Sequence, residues 1–116
     1  MADEIIAFDA TTAMLPDAAA LLVQRHREQR ASRPELPARW EDPEAARSLI
    51  ETLCGREWAA GVAAIREGRM RGYLIGEMVL DELWGRSAWV RFAGSALAPG
   101  QDPELIRDLY AALADR

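Results

Sequence analysis

The chain has 116 residues, enough for one small domain with its own core. Half of the residues are hydrophobic and 28% are charged, and no apolar run approaches the roughly 18 residues of a membrane-spanning helix, so a membrane partner is excluded. The net charge of -5 argues against nucleic acid as a partner, because that binding neutralises phosphates with cations.

Met1-Ala2-Asp3-Glu4 is acidic where an export signal would be basic and then apolar. A single cysteine, Cys54, forms no intramolecular disulfide, and the two features together predict a cytoplasmic protein. All 14 basic residues are arginine. A GC-rich genome explains that bias, and nothing in the chain requires selection for bidentate anion contacts.

Ile5, Ile6 and Phe8 predict a first strand within Glu4–Thr12. Pro16 and Asp17 suit the opening turn of a helix, since proline fits the first positions and an acid favours the positive end of the dipole. Ala18, Leu21, Leu22 and Arg25 then share one face, with the arginine stem able to cover apolar surface. The pattern turns polar from His26 to Arg33, and Pro34 and Pro37 break it.

Asp42-Pro43-Glu44 predicts a second helix, with Asp42 as the cap, an apolar stripe of Ala46, Leu49, Ile50 and Leu53, and Gly55 as the stop. Trp58–Ile65 reads as a strand, Glu67-Gly68-Arg69 as a turn and Met70–Leu80 as the return strand. Gly72 and Gly76 mark possible bulges. Asp81–Ser87 is expected to connect, and Ala88–Ala98 to form a third strand of this meander, weakened near Gly94. Asp102-Pro103-Glu104 opens a final helix with Leu105, Ile106, Leu109, Ala112 and Leu113 on its buried side. The expected order is β-α-α-β-β-β-α, an α+β domain with a mostly antiparallel sheet and helices packed on it. No linker composition divides it, so residues 1–116 read as one domain.

The element order, with Ala13-Met14-Leu15-Pro16-Asp17-Ala18 before the first helix, Glu67 to Gly76 across the hairpin and Leu97-Ala98-Pro99 before the last helix, resembles the GNAT (GCN5-related N-acetyltransferase) superfamily. The likeness covers nearly the whole chain but only the N-terminal two-thirds of such a domain. It therefore implies a partial fold whose C-terminal strands are missing, with either a homodimer or the C-terminal remainder of a longer chain covering the last strand. It also implies acetyl transfer from acetyl-CoA to an amine acceptor, not carried out by this portion alone. The alternative is a non-catalytic interaction or dimerisation module that keeps the fold and has lost the cofactor.

In that family the pantetheine pairs with the strand matching Ala88–Ala98, and the diphosphate sits on a Q/R-x-x-G-x-G/A loop. The resemblance thus points to Leu97, Ala98, Gly100 and Gln101 as cofactor-binding residues. Glycines let an anion approach the backbone, and a helix N-terminus offers free donors. Here the loop reads Pro99-Gly100-Gln101-Asp102-Pro103-Glu104. Pro103 removes a donor, Asp102 is expected to cap the helix itself, and both acids repel a diphosphate, by about a kcal/mol each near a surface.

Glu77 is the candidate general base, a role that requires partial burial. Its plainer reading is a solvent-facing strand residue. Arg91 stands where an acid would be more useful, and Tyr73 and Tyr110 read as packing residues. Cys54 would need a base beside it to act as a nucleophile, and His26 lies on another helix. No set of residues suggests a metal. Arg25, His26, Arg27, Arg30, Arg33 and Arg39 form a basic segment that reads as a solvated face or as a wall for an anionic ligand. Trp58 and Trp89 are expected in the core, and Trp84 at an interface.

Overall fold

The computed structural model describes residues 3–81, 85–90 and 92–114. Its centre is a hairpin of β2 (Ala59–Arg66) and β3 (Arg69–Asp81). The turn is Glu67-Gly68, with φ of 54° and 77°. Two left-handed central residues give the two-residue turn whose twist matches the strands it joins. β1 (Glu4–Ala7) pairs antiparallel with β2 on the other side. It is shorter than the sequence predicts, because the Asp9 carboxylate accepts both the N–H and the hydroxyl of Thr11, at 2.9 and 2.6 Å, and turns the chain.

The pairing of β2 with β3 steps from Ala64↔Gly72 to Ile65↔Met70, leaving Arg71 as one extra residue on β3. This is the bulge expected near Gly72. No second bulge forms at Gly76, which pairs with Ala60 in regular register.

The rest of the meander differs from the expectation. β3 runs on to Asp81 and pairs with β4 (Gly85–Trp89), so most of the predicted Asp81–Ser87 connection is strand. The predicted strand Ala88–Ala98 is broken by a 3-10 turn at Phe92–Gly94, after which β5 (Ser95–Leu97) returns to β3. All described pairings are antiparallel.

Helices cover both faces of the sheet. α1 (Met14–Ser32) and α2 (Pro43–Cys54) lie on one side, where Leu15, Ala18, Leu22 and Ile50 meet Tyr73 and Ile75. α3 (Glu104–Ala114) lies on the other, where Leu105, Leu109 and Leu113 meet Val62, Ala64 and Leu74. Neighbours along β2 and β3 thus feed opposite cores, as the period of two requires. The result is an α+β domain of three helices on an antiparallel sheet. Among the described residues no helix is long and apolar enough to cross a membrane.

Three local expectations change. Asp42 precedes α2, but its side chain makes no capping bond. α1 runs to Ser32, before the break expected at Pro34, but His26, read as part of a solvated face, is fully buried. Trp58 lies just outside β2 and is 65% exposed, so it is not a core residue. Trp84, Arg91 and the side chain of Trp89 fall outside the described residues.

Candidate functional site

The site begins with the hydrogen bonding of β5. The Ala98 N–H donates to the Arg71 carbonyl at 2.7 Å, and Leu97 stands opposite Gly72. In an antiparallel ladder hydrogen-bonded pairs alternate with non-bonded ones. Ala98 and Ala96 therefore turn their backbone groups toward β3, while Leu97 and Ser95 turn theirs outward, to the edge of the sheet. Gly72 gives this pairing room: a Cβ there would lie 2.7 Å from the movable Leu97 Cδ2 and 3.3 Å from the Ala96 carbonyl oxygen.

Two of the sequence-predicted cofactor residues are thereby distinguished. Leu97 offers an N–H and a carbonyl at the edge, whereas the Ala98 N–H is already bonded to β3. The Ser95 carbonyl accepts from the Arg25 guanidinium, which reaches down from α1. Arg25 is partly buried, and that burial lowers its pKa from the ordinary value.

A groove of about 500 Å3 runs along this edge. Arg25 and Glu28 form one wall, and Leu97, Ala98, Gly100 and Ile106 are among the residues opposite. That volume is in the range of small-ligand sites. All four sequence-predicted cofactor residues, Leu97, Ala98, Gly100 and Gln101, line it.

At the far end of the groove is the loop into α3. Gly100 takes a φ of 77°, a conformation that suits glycine, and the Gln101 N–H closes a turn onto the Ala98 carbonyl at 3.1 Å. The Asp102 carboxylate accepts the Glu104 N–H at 2.9 Å. Asp102 thus fills with its own charge the donor that a bound anion would want. Pro99 and Pro103 supply no N–H. Among the described residues the N–H groups of Gly100 and Asp102 take no backbone partner. Glu104 adds a second carboxylate, paired at the surface with Arg107 at 3.3 Å. The edge of β5 thus presents the outward-facing Leu97 backbone, and the loop sets the Asp102 and Glu104 carboxylates at the start of α3.

Glu77, the candidate base, sits on β3 opposite Ala59 and Trp89, in the stretch leading toward the 3-10 turn. Its carboxylate is 13% exposed and forms an ion pair with Arg56 from the turn after α2. The solvent-facing reading is therefore replaced by a largely buried, paired one. To take a proton from an amine Glu77 would have to share an oxygen with that guanidinium.

Tyr73 is fully buried. Its hydroxyl donates to the Ala93 carbonyl, and burial pushes the phenol well above its ordinary pKa, which suits a structural hydroxyl rather than an acid. Tyr110 is 46% exposed on the rim of α3. Cys54 lines a separate small cavity of about 250 Å3 with Phe8, Gly61 and Ile75. Burial, aided by the Glu51 charge, pushes its thiol pKa up, away from nucleophilic use. Among the described residues no cluster of His, Cys, Asp and Glu could hold a metal ion.

The basic segment is largely used by the fold. The His26 Nε2 bonds to the Pro37 carbonyl at 2.6 Å, and Arg30 holds both the Leu36 carbonyl and Glu41, each at 3.0 Å. Arg33 pairs with Glu35, and Arg39 stacks on Trp40 at 4.4 Å. Apart from Arg25, whose partner is the Ser95 carbonyl of β5, these partners come from the α1–α2 connection, so this part of the segment pins that connection rather than forming a single cationic patch. Sequence reasoning missed the Arg25–Ser95 and His26–Pro37 contacts, whose partners lie 70 and 11 residues away.

No protein-family model and no curated protein matches the sequence. Solved structures do match the fold. The ribosomal-protein-alanine N-acetyltransferase of Brucella melitensis biovar Abortus superposes with a TM-score of 0.66 and 19% identity, over 99% of this chain and 71% of that one. An aminoglycoside acetyltransferase from an uncultured soil metagenomic sample gives 0.65 and 12%, again over 99% and 71%. A Bacillus halodurans protein gives 0.61 and 12%, over 97% and 73%. At these identities the likeness is one of fold.

Proposed function

We propose that this chain, whose fold is that of the GNAT acetyltransferases, is an N-acetyltransferase domain that holds the pantetheine arm of acetyl-CoA along the β5 edge. The observation that carries this reading is the groove of about 500 Å3 beside the outward-facing backbone of Leu97. Bound acetyl-CoA would supply a thioester open to attack by an amine. The chain's own part is to orient. Leu97 pairs with the arm, Ala96 to Pro99 form the floor of the groove, and the α1 wall excludes water from one side. Glu77 is the candidate proton acceptor, after exchange of its Arg56 partner. The acceptor class is an amine, the group that ribosomal-protein alanine and aminoglycosides have in common. The proposed compartment is the cytoplasm.

The loop sets a limit on this activity. With Asp102 bonded to the Glu104 N–H, the diphosphate gains little, and the arm supplies most of the affinity. Acetyl transfer accordingly needs a further element that closes the groove over the arm while leaving Leu97 to pair with it, either the C-terminal remainder of a longer chain or a second copy. The same carboxylate favours a second reading, a non-catalytic module that uses the edge for pairing. Thermal unfolding with added acetyl-CoA separates the two. A rise in Tm supports the transferase reading, and an unmoved Tm with concentration-dependent size supports the module.

A further inference from the structure

We infer that Arg25 sets the register in which an extended ligand pairs with the β5 edge, by occupying the Ser95 carbonyl and ending the pairing at Leu97. This rests on the acetyl-CoA reading above.

Only Ser95 and Leu97 of β5 direct backbone groups away from β3. They are two residues apart, the repeat at which an extended chain makes successive pairs of hydrogen bonds. A ligand free to use both could slide, since a short edge offers little to fix its register. The Arg25 guanidinium removes that freedom. It donates to the Ser95 carbonyl from α1, and its side chain closes the same groove that the ligand would follow.

The placement is built rather than incidental. Arg25 lies on the same face of α1 as Ala18 and Leu22, both fully buried, so its stem is held by the packing that holds the helix. The guanidinium is partly buried, and its hydrogen bond to a backbone acceptor carries a charge, which makes it stronger than a neutral bond. An amide N–H of a ligand would compete poorly for that carbonyl.

Arg25 also lines a second groove, of about 640 Å3, with Gln29, Ser32, Arg33 and Leu36. Glu28 lines both as well, so the two grooves meet at Arg25 and Glu28. A chain lying on the β5 edge stops there and does not run on along α1.

Calorimetric titration with acetyl-CoA and with pantetheine tests this on the wild type, Arg25→Met and Arg25→Gln. Methionine keeps an apolar stem, glutamine keeps a donor without charge, and unfolding curves confirm that each variant folds. The proposal expects Arg25→Met to bind both probes roughly threefold to tenfold tighter, the effect of one freed hydrogen-bond acceptor, with Arg25→Gln in between. It also expects amide exchange at Ala96 and Ala98 to accelerate in ligand-free Arg25→Met, as β5 loses its tie to α1. Binding at wild-type strength or weaker by both variants overturns the role of Arg25 and leaves the acetyl-CoA reading standing. Binding of neither probe by any of the three proteins overturns both.

Discussion

The Tyr73 hydroxyl donates a 2.8 Å hydrogen bond to the Ala93 carbonyl, tying the middle of β3 to the 3-10 turn that separates β4 from β5. Both residues are buried, so the carbonyl has no water to fall back on. Tyr73→Phe leaves it unsatisfied. The expected loss is about 1–3 kcal/mol in denaturant unfolding, with an unchanged dependence on denaturant concentration. The ring keeps its tilted contact with Phe8, so the fold persists and the loss reports the hydroxyl.

Gly94 and Gly72 give a paired test of the same region. A Cβ on Gly94 would lie 2.6 Å from the Ile75 carbonyl oxygen, a backbone atom that cannot move aside. On Gly72 it would meet the Leu97 side-chain tip at 2.7 Å, which can. Gly94→Ala is expected to cost about 3 kcal/mol or more and Gly72→Ala about 1 kcal/mol, measured by thermal or denaturant unfolding. Equal costs would show that β5 does not sit as closely on β3 as described.

Cys54 makes the alkaline limb of stability informative. Burial raises its pKa, so the folded chain keeps the thiol protonated to higher pH than the unfolded chain does. That contribution is complete below the ordinary thiol range and is lost as pH rises through the raised folded value. Unfolding free energy should therefore fall as pH rises above the ordinary thiol range, about 8.5, and Cys54→Ala should flatten that part of the slope. Iodoacetamide should label Cys54 far more slowly in buffer than in urea at the same pH.

His26 should hold the α1–α2 connection in place. Replacing it with leucine removes the bond to the Pro37 carbonyl, and a loss of roughly 1–3 kcal/mol is expected. Limited proteolysis should then cut within residues 33–41 sooner than in the wild type. An unchanged digestion pattern would assign the pinning to Arg30 instead, whose bonds to Leu36 and Glu41 span the same segment.

What the sequence made legible was local. The Glu67-Gly68 turn, the proline-led start of α2 and the Asp102 cap of α3 are each decided within a few residues, and each appears where its chemistry puts it. What it hid was decided at a distance. The break at Phe92–Gly94 depends on a hydroxyl 20 residues away, and Gly94 was its one sign in the sequence. His26 looks like part of a solvated run because its partner carbonyl belongs to a loop with no periodicity. Trp58 reads as a strand residue by type, yet the strand starts one position later and leaves it outside. For the site, the loop was readable, while the outward turn of Leu97 needed the register with β3.

The central claim is that the β5 edge carries the arm of acetyl-CoA while Asp102 and Glu104 deny the diphosphate its seat. Titrating acetyl-CoA and pantetheine into the wild type and into Asp102→Asn/Glu104→Gln measures this directly. The wild type should bind the two ligands within a few-fold of each other, and the double variant should favour acetyl-CoA by about tenfold or more, as roughly a kcal/mol of repulsion is lifted at each acid. A wild type that already binds acetyl-CoA a hundredfold more tightly than pantetheine would contradict the account.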